Sequence, residues 1–261
     1  MIASEQAEAF EIIGGDNRHG LIILCDHASS LIPVEFDNLG LPPAELARHI
    51  AYDIGAEAVS RTLARHFGCP AVLSRFSRLL IDPNRGEDDP TLVMRIADGA
   101  IVPGNTRISM TEINHRITRF YRPYDDAIAR TISAMRAGGV TPVILAVHSF
   151  TPEMKGTQRP WHVTVIWDFD PRLNCALLRS LEQDRTLIVG ENEPYRGGYR
   201  GDTLDRHVMH AGLAHALVEI RQDLIATPGD AESWGERLGH HLAPLLSLPD
   251  IRVARVYGAH P

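Results

Sequence analysis

Two histidines, each closing an apolar run, are where this chain places its clearest capacity for chemistry. Residues 21–30, LIILCDHASS, pass from five apolar residues directly into Asp26, His27 and two hydroxyls. Residues 142–150, PVILAVHSF, repeat the form and end on His148 and Ser149. Apolar runs of this length read as strands buried on both faces of a parallel sheet, and ligands of open α/β sheets bind outside the carboxyl ends of such strands. Two histidines delivered to one edge, with one carboxylate, make the open three-ligand set of a catalytic zinc, whose fourth position holds a water of pKa about 7. Asp53, in the small-residue break AYDIGA that follows the first strand, is the candidate third ligand, and Asp26 is its competitor. The spacing matches neither HExxH nor another short zinc motif, and each histidine read alone could instead cap its strand with local hydrogen bonds.

Glu219 interrupts the apolar run LVEI, where a charge is normally excluded. Burial raises a carboxyl pKa toward the range a general base or acid needs, whereas pairing with Arg221 or a helix arginine would make the same residue structural. Arg75, Arg78 and Arg85, with Asn84, fall in SRFSRLLIDPNR at residues 74–85, within a loop's reach of the sheet edge. Guanidinium groups grip carboxylates through paired hydrogen bonds, so these arginines are candidates for a substrate clamp, their alternative being internal pairing with Asp82, Glu87, Asp88 and Asp89. The glycine-rich RGGYRG at residues 196–201 suits a mobile substrate loop but matches no phosphate cradle, and GxSxG of a serine hydrolase is absent.

Positioning these residues falls to alternating strands and helices. Periodicity predicts a helix over residues 44–67, broken near 52–55; a strand, turn and second strand over 71–82; a long amphipathic helix over 111–136 kinked at Pro123; a half-buried strand over 162–168; a helix over 172–183; short strands over 187–190 and 217–220; and a helix over 231–246. Such alternation gives a single α/β domain spanning residues 1–261, its mixed, largely parallel sheet sandwiched by helices. An apolar fraction of 44% suffices for a sizeable core, and a net charge of −7 without a basic stripe excludes nucleic acid and anionic membrane as partners, leaving a small molecule. Cys25, Cys69 and Cys175 are too scattered for a disulfide framework, and MIASEQAEAFEII at residues 1–13 has neither a basic nor an apolar signal region; both point to the cytoplasm.

Five segments in one order, DHAS at 26–29, SRFSRLLIDPNR at 74–85, YRPYDD at 121–126, VHSF at 147–150 and EIRQD at 219–223, resemble the N-formylglutamate amidohydrolase family, which is itself similar to the zinc carboxypeptidases and aspartoacylases. The resemblance runs over most of the chain. It implies a zinc-carboxypeptidase-like fold, a divalent metal, zinc, on His27, Asp53 and His148, a catalytic role for Glu219, and a carboxylate-holding role for Asn84 and Arg85. The implied reaction is hydrolysis of an N-formyl or other N-acyl amino acid such as N-formylglutamate, in amino-acid catabolism. A related deacylase or carboxypeptidase, or a binding protein on the same scaffold, are the alternatives. Asp26 stands before the first histidine where histidine-degrading members carry proline, and Ala-Val stands before the second where they carry Asp-Ala, so the resemblance implies a sister branch.

Overall fold

The two histidine-terminated runs become neighbouring strands at the centre of one sheet. In the computed structural model, which describes residues 8–16 and 18–258, that sheet has seven strands: β1 (Phe10–Ile13), β2 (Leu21–Cys25), β3 (Ala71–Ser74), β4 (Val143–Phe150), β5 (Val163–Ile166), β6 (Val189–Glu191) and β7 (His215–Arg221). Their order is β1-β3-β2-β4-β7-β5-β6, with β1 antiparallel to β3 at one edge and β5 antiparallel to β7. The strands between them, β3, β2, β4 and β7, all run parallel. The sheet is therefore mixed α/β and largely parallel, with the carboxyl ends of β2, β4 and β7 side by side.

Both faces are covered, which is why the central strands are apolar throughout. Leu21, Ile23 and Cys25 pack with Val59, Leu63 and Leu177 in one core layer, while Ile22 and Leu24 pack with Phe76, Tyr124 and Ile128 in the other. The first layer is built on the helices α1 (Ala56–Phe67), α4 (Pro171–Glu182) and α5 (Pro228–Leu242), and the second on α2 (Met110–Arg116) and α3 (Arg122–Ala137). Between α2 and α3 the chain makes a π-helical turn, Ile117–Tyr121, directly before Pro123. The ring of Pro123 removes an N–H that the continuous helix would need, and the wider turn absorbs that loss. Among the described residues no helix is long and apolar enough to cross a membrane.

Three expectations are corrected. The helix expected over 44–67 forms as a single turn, Pro43–Leu46, and then only from Ala56, because Gly55 adopts φ 81 and an added Cβ there would collide with the Ile225 carbonyl. No second strand follows β3: residues 75–82 turn back into the core, burying Phe76, Leu79, Leu80 and Ile81, so consecutive apolar residues reflect a packed turn and not a ladder. β5 is buried along its whole length and not on one face alone, Val163 and Val165 packing in the same core layer as Leu173 and Leu177. The first seven of the residues read for a signal region, 1–13, lie outside the described residues.

Candidate active site

Each chemically capable side chain reaches the sheet edge by a different local device. His27 lies two residues past β2, where its carbonyl accepts the Asp53 N–H at 2.9 Å and so ties the break before α1 to the strand end. His148 sits inside β4, and Glu219 on β7 is its register partner. Strand alternation settles the direction of Glu219: Ala216, Val218 and Ile220 fill the helix α1 side of the core, so Leu217 and Glu219 face the opposite side. Parallel neighbours in register share a face, which puts Glu219 beside His148.

His27, Asp53 and His148 are all buried, and one ligand atom from each lies within 4.8 Å of the others. Asp53 Oδ2 is 2.8 Å from His148 Nδ1 and 3.3 Å from His27 Nδ1. The far nitrogens face acids of their own. His27 Nε2 is 2.8 Å from Asp82 Oδ1, while His148 Nε2 is 3.4 Å from Asp26 Oδ2, close enough for charge pairing though outside hydrogen-bond geometry. Asp26, the competitor for the third position, thus stands behind His148, where Tyr124 and Thr203 donate to it at 2.8 and 2.9 Å.

Asp82 does three things at once. It faces His27, accepts from Arg78 Nη2 at 2.8 Å and accepts the Asn84 N–H at 2.9 Å. Burial pushes against its charge, but Arg78 and His27 hold its carboxyl well below the usual range. Burial likewise acts to raise the Asp53 pKa, and His27 and His148 overcome it, keeping Asp53 ionised. His148 shows the converse: burial lowers its pKa, but the carboxylates of Asp26 and Asp53 facing its two nitrogens leave it well above the ordinary value.

Glu219 has no such support. Desolvation raises its pKa to about 7, with His148 opposing the rise and Asp53 adding to it. Its Oε2 is buried without a hydrogen-bond partner among the described residues. Arg221, its partner in the structural alternative, instead pairs with Asp223 at 2.8 Å.

His27, Asp53, His148 and Glu219 line one cavity of about 270 Å³. Arg78, Asn84 and Arg85 line it too, and Arg75 does not: it pairs with Glu57 at 3.2 Å and Glu11 at 3.5 Å, which removes it from the expected clamp. Arg78 is committed to Asp82 and lies 3.6 Å from Asp53. Among the described residues Arg85 donates to neutral acceptors alone, the Asn84 carbonyl at 2.7 Å and the Thr91 hydroxyl at 3.3 Å, and it lies 5.7 Å from the centre of the Tyr199 ring. The Gly-rich loop after β6 forms another wall through Tyr195, Arg196, Tyr199 and Asp202. Burial raises the Asp202 pKa to about 6. The length and polarity of that loop marked it in the sequence as a substrate loop, but nothing singled out Tyr195, and Trp167, which also lines the cavity, was read only as part of an alternating strand.

The N-formylglutamate amidohydrolase family profile matches residues 19–226. A gene product from Agrobacterium tumefaciens of known crystal structure is 32% identical and superposes with a TM-score of 0.86 over 93% of this chain and 96% of its own. An N-formylglutamate amidohydrolase from Ralstonia eutropha JMP134 has the same fold, at 21% identity and a TM-score of 0.67 over 94% of this chain and 97% of its own. No curated protein matches the sequence.

Proposed function

This chain belongs to the N-formylglutamate amidohydrolase family, and from that premise we propose that it is a metal-dependent amidohydrolase cleaving an N-formyl or other N-acyl amino acid, such as N-formylglutamate, to the free amino acid and formate or the corresponding acid. One observation supports this reading above the others: a buried, unpaired carboxylate on β7, Glu219, is the register partner of a histidine in a convergent His-Asp-His cluster. The donor atoms suit a divalent ion. Two imidazole Nδ1 atoms and one ionised carboxylate oxygen converge, and the opposite ring nitrogens face carboxylates, an arrangement that leaves Nδ1 free to ligate. Zinc held by His27, Asp53 and His148 would supply Lewis-acid polarisation of the scissile carbonyl and lower the pKa of water.

The remaining work belongs to the protein. Glu219, with a pKa near 7, takes the proton of the attacking water and returns it to the leaving amine. Asp82 and Asp26 hold the two imidazoles in orientation, and the paired Asp82–Arg78 keeps cationic charge beside the cluster without leaving it uncompensated. Arg85 is a cavity arginine available to a substrate carboxylate. Arg85→Lys should raise KM about 10-fold or more with little change in kcat, since an ammonium cannot reproduce the bidentate fork. Equal kinetics of both enzymes on substrates with and without the carboxylate would show that Arg85 holds nothing.

A small-molecule substrate, a cytoplasmic location and a single domain over residues 1–261 are part of the same proposal. Its test is amine release from a panel of N-formyl, N-acetyl and longer N-acyl amino acids with added zinc, cobalt or manganese. Metal-dependent turnover of N-formyl substrates supports the reading, turnover confined to longer acyl groups or peptides moves it to a related deacylase or carboxypeptidase, and a folded protein inert with every metal points to a binding function.

A further inference from the structure

A buried arginine beside the cavity contacts no acid among the described residues. Arg159 is 8% exposed, yet its guanidinium contacts only neutral groups among the described residues: the Thr151 hydroxyl at 3.0 Å, the Tyr195 hydroxyl at 3.3 Å and the Met154 sulfur at 3.4 Å. Arg116, 3% exposed, is by contrast paired with Glu112 at 3.1 Å. Isolating a cation from both water and a counter-charge is costly, and such a group persists where negative charge arrives during function.

The position of Arg159 is set by the strands that carry the candidate catalytic groups. Thr151 directly follows β4, three residues past His148, and Arg221 at the end of β7 donates to the Arg159 carbonyl. From this anchorage the guanidinium lies 5.2 Å from the centre of the Tyr195 ring and donates to its hydroxyl. Tyr195 lines the cavity together with His27, His148 and Glu219. Because its oxygen accepts from Arg159, the tyrosine's own proton points elsewhere, and no acceptor for it is present among the described residues. Burial raises the Tyr195 pKa, and Glu219 and Asp53 add to the rise, so the hydroxyl stays protonated at neutral pH and lies within the field of the cluster.

We propose that Tyr195 is a catalytic hydrogen-bond donor to the scissile carbonyl oxygen, polarised and held in place by the positioning residue Arg159. As water attacks, the carbonyl oxygen gains negative charge, and the tyrosine O–H strengthens its hydrogen bond to that oxygen while keeping its proton. Arg159, with no acid in contact with it among the described residues, favours this charge when it develops and does little for the neutral ground state. The proposal rests on the amide-hydrolysis reading and adds to it a residue from the Gly-rich loop.

The experiment is a double-mutant cycle on the zinc-loaded enzyme, with kcat, KM and zinc content measured for each variant. Tyr195→Phe should lower kcat about 10²-fold, the usual effect of deleting one oxyanion donor, with KM and zinc content within about twofold of wild type. Arg159→Lys should lower kcat in the same sense, and should have no further effect once Tyr195 is phenylalanine, because it acts through that hydroxyl. A purely structural Arg159 would instead show its effect in either background, which would overturn the pairing. Should Arg159→Lys fail to fold, Tyr195→Phe decides alone: an active wild type with unimpaired Tyr195→Phe overturns this proposal and leaves the amidohydrolase reading standing. A wild type that releases amine from no N-acyl amino acid overturns both.

Discussion

Glu219→Gln is expected to lose about 10⁴-fold or more in kcat while keeping its metal and its KM. A single positioned acid-base group contributes about 10²–10⁴-fold, and a carboxylate that both takes and returns the proton belongs at the upper end or beyond it. Stability should move the other way from an ion-pair loss. The Glu219 pKa is raised from an ordinary 4.5 to about 7, so folding favours its protonated form; that stabilisation is complete below pH about 4.5 and is lost as pH rises through about 7. At pH 8 the metal-free wild type therefore carries a buried carboxylate that destabilises it, and glutamine removes the charge. The thermal midpoint of the metal-free variant should equal or exceed that of wild type at pH 8, and the two should converge toward pH 4. In the active enzyme the base must be ionised, so kcat/KM falls as pH drops, with its midpoint at or below about 7 because a nearby dication favours the carboxylate. A variant with a lowered midpoint and preserved kcat would make Glu219 structural and sink its catalytic assignment.

How much of this was legible in the sequence depends on how local each signal is. β2, β4 and β7 were readable because strands buried on both faces need uninterrupted apolar residues, and Glu219 was conspicuous only against such a run. Asp53 could be read as a break in a helix, since Gly55 and its small neighbours stop helical periodicity locally. Contacts made by tertiary packing left no comparable trace. Asp82 was visible only as a possible arginine partner, while its contact with His27 spans 55 positions. Arg75 was misplaced because one of its partners, Glu11, lies on β1, an edge strand of four residues that the pattern did not disclose. The turn over residues 75–82 buries Phe76, Leu79, Leu80 and Ile81 without any ladder, and burial of that kind has the composition of a strand without its period. Tyr195 and Arg159 meet 36 residues apart across a loop, which composition could mark as polar and functional without telling which side chain turns inward.

The metal centre supplies the other large effect. His27→Ala and His148→Ala should each abolish stoichiometric zinc binding and reduce turnover below detection while leaving most of the fold, because a site of three protein ligands does not hold zinc tightly with two. Asp53→Asn should weaken zinc more than Asp26→Asn, since Asp53 Oδ2 sits between the two Nδ1 atoms whereas Asp26 faces only the far side of His148. Removing the charge of an outer carboxylate should cost about 10- to 100-fold in affinity. Asp82→Asn is expected at the upper end of that range, as its oxygens contact Arg78 and the Asn84 backbone as well as His27. Affinity for zinc should also rise with pH: in the metal-free protein the carboxylates around His148 favour its protonated form, and that proton must leave before Nδ1 can ligate. Competition against a chelating indicator, run from pH 6 to 8 on each variant, measures all of these. Unchanged zinc content in His27→Ala or His148→Ala would remove that histidine from the site, and stronger loss in Asp26→Asn than in Asp53→Asn would exchange the third ligand.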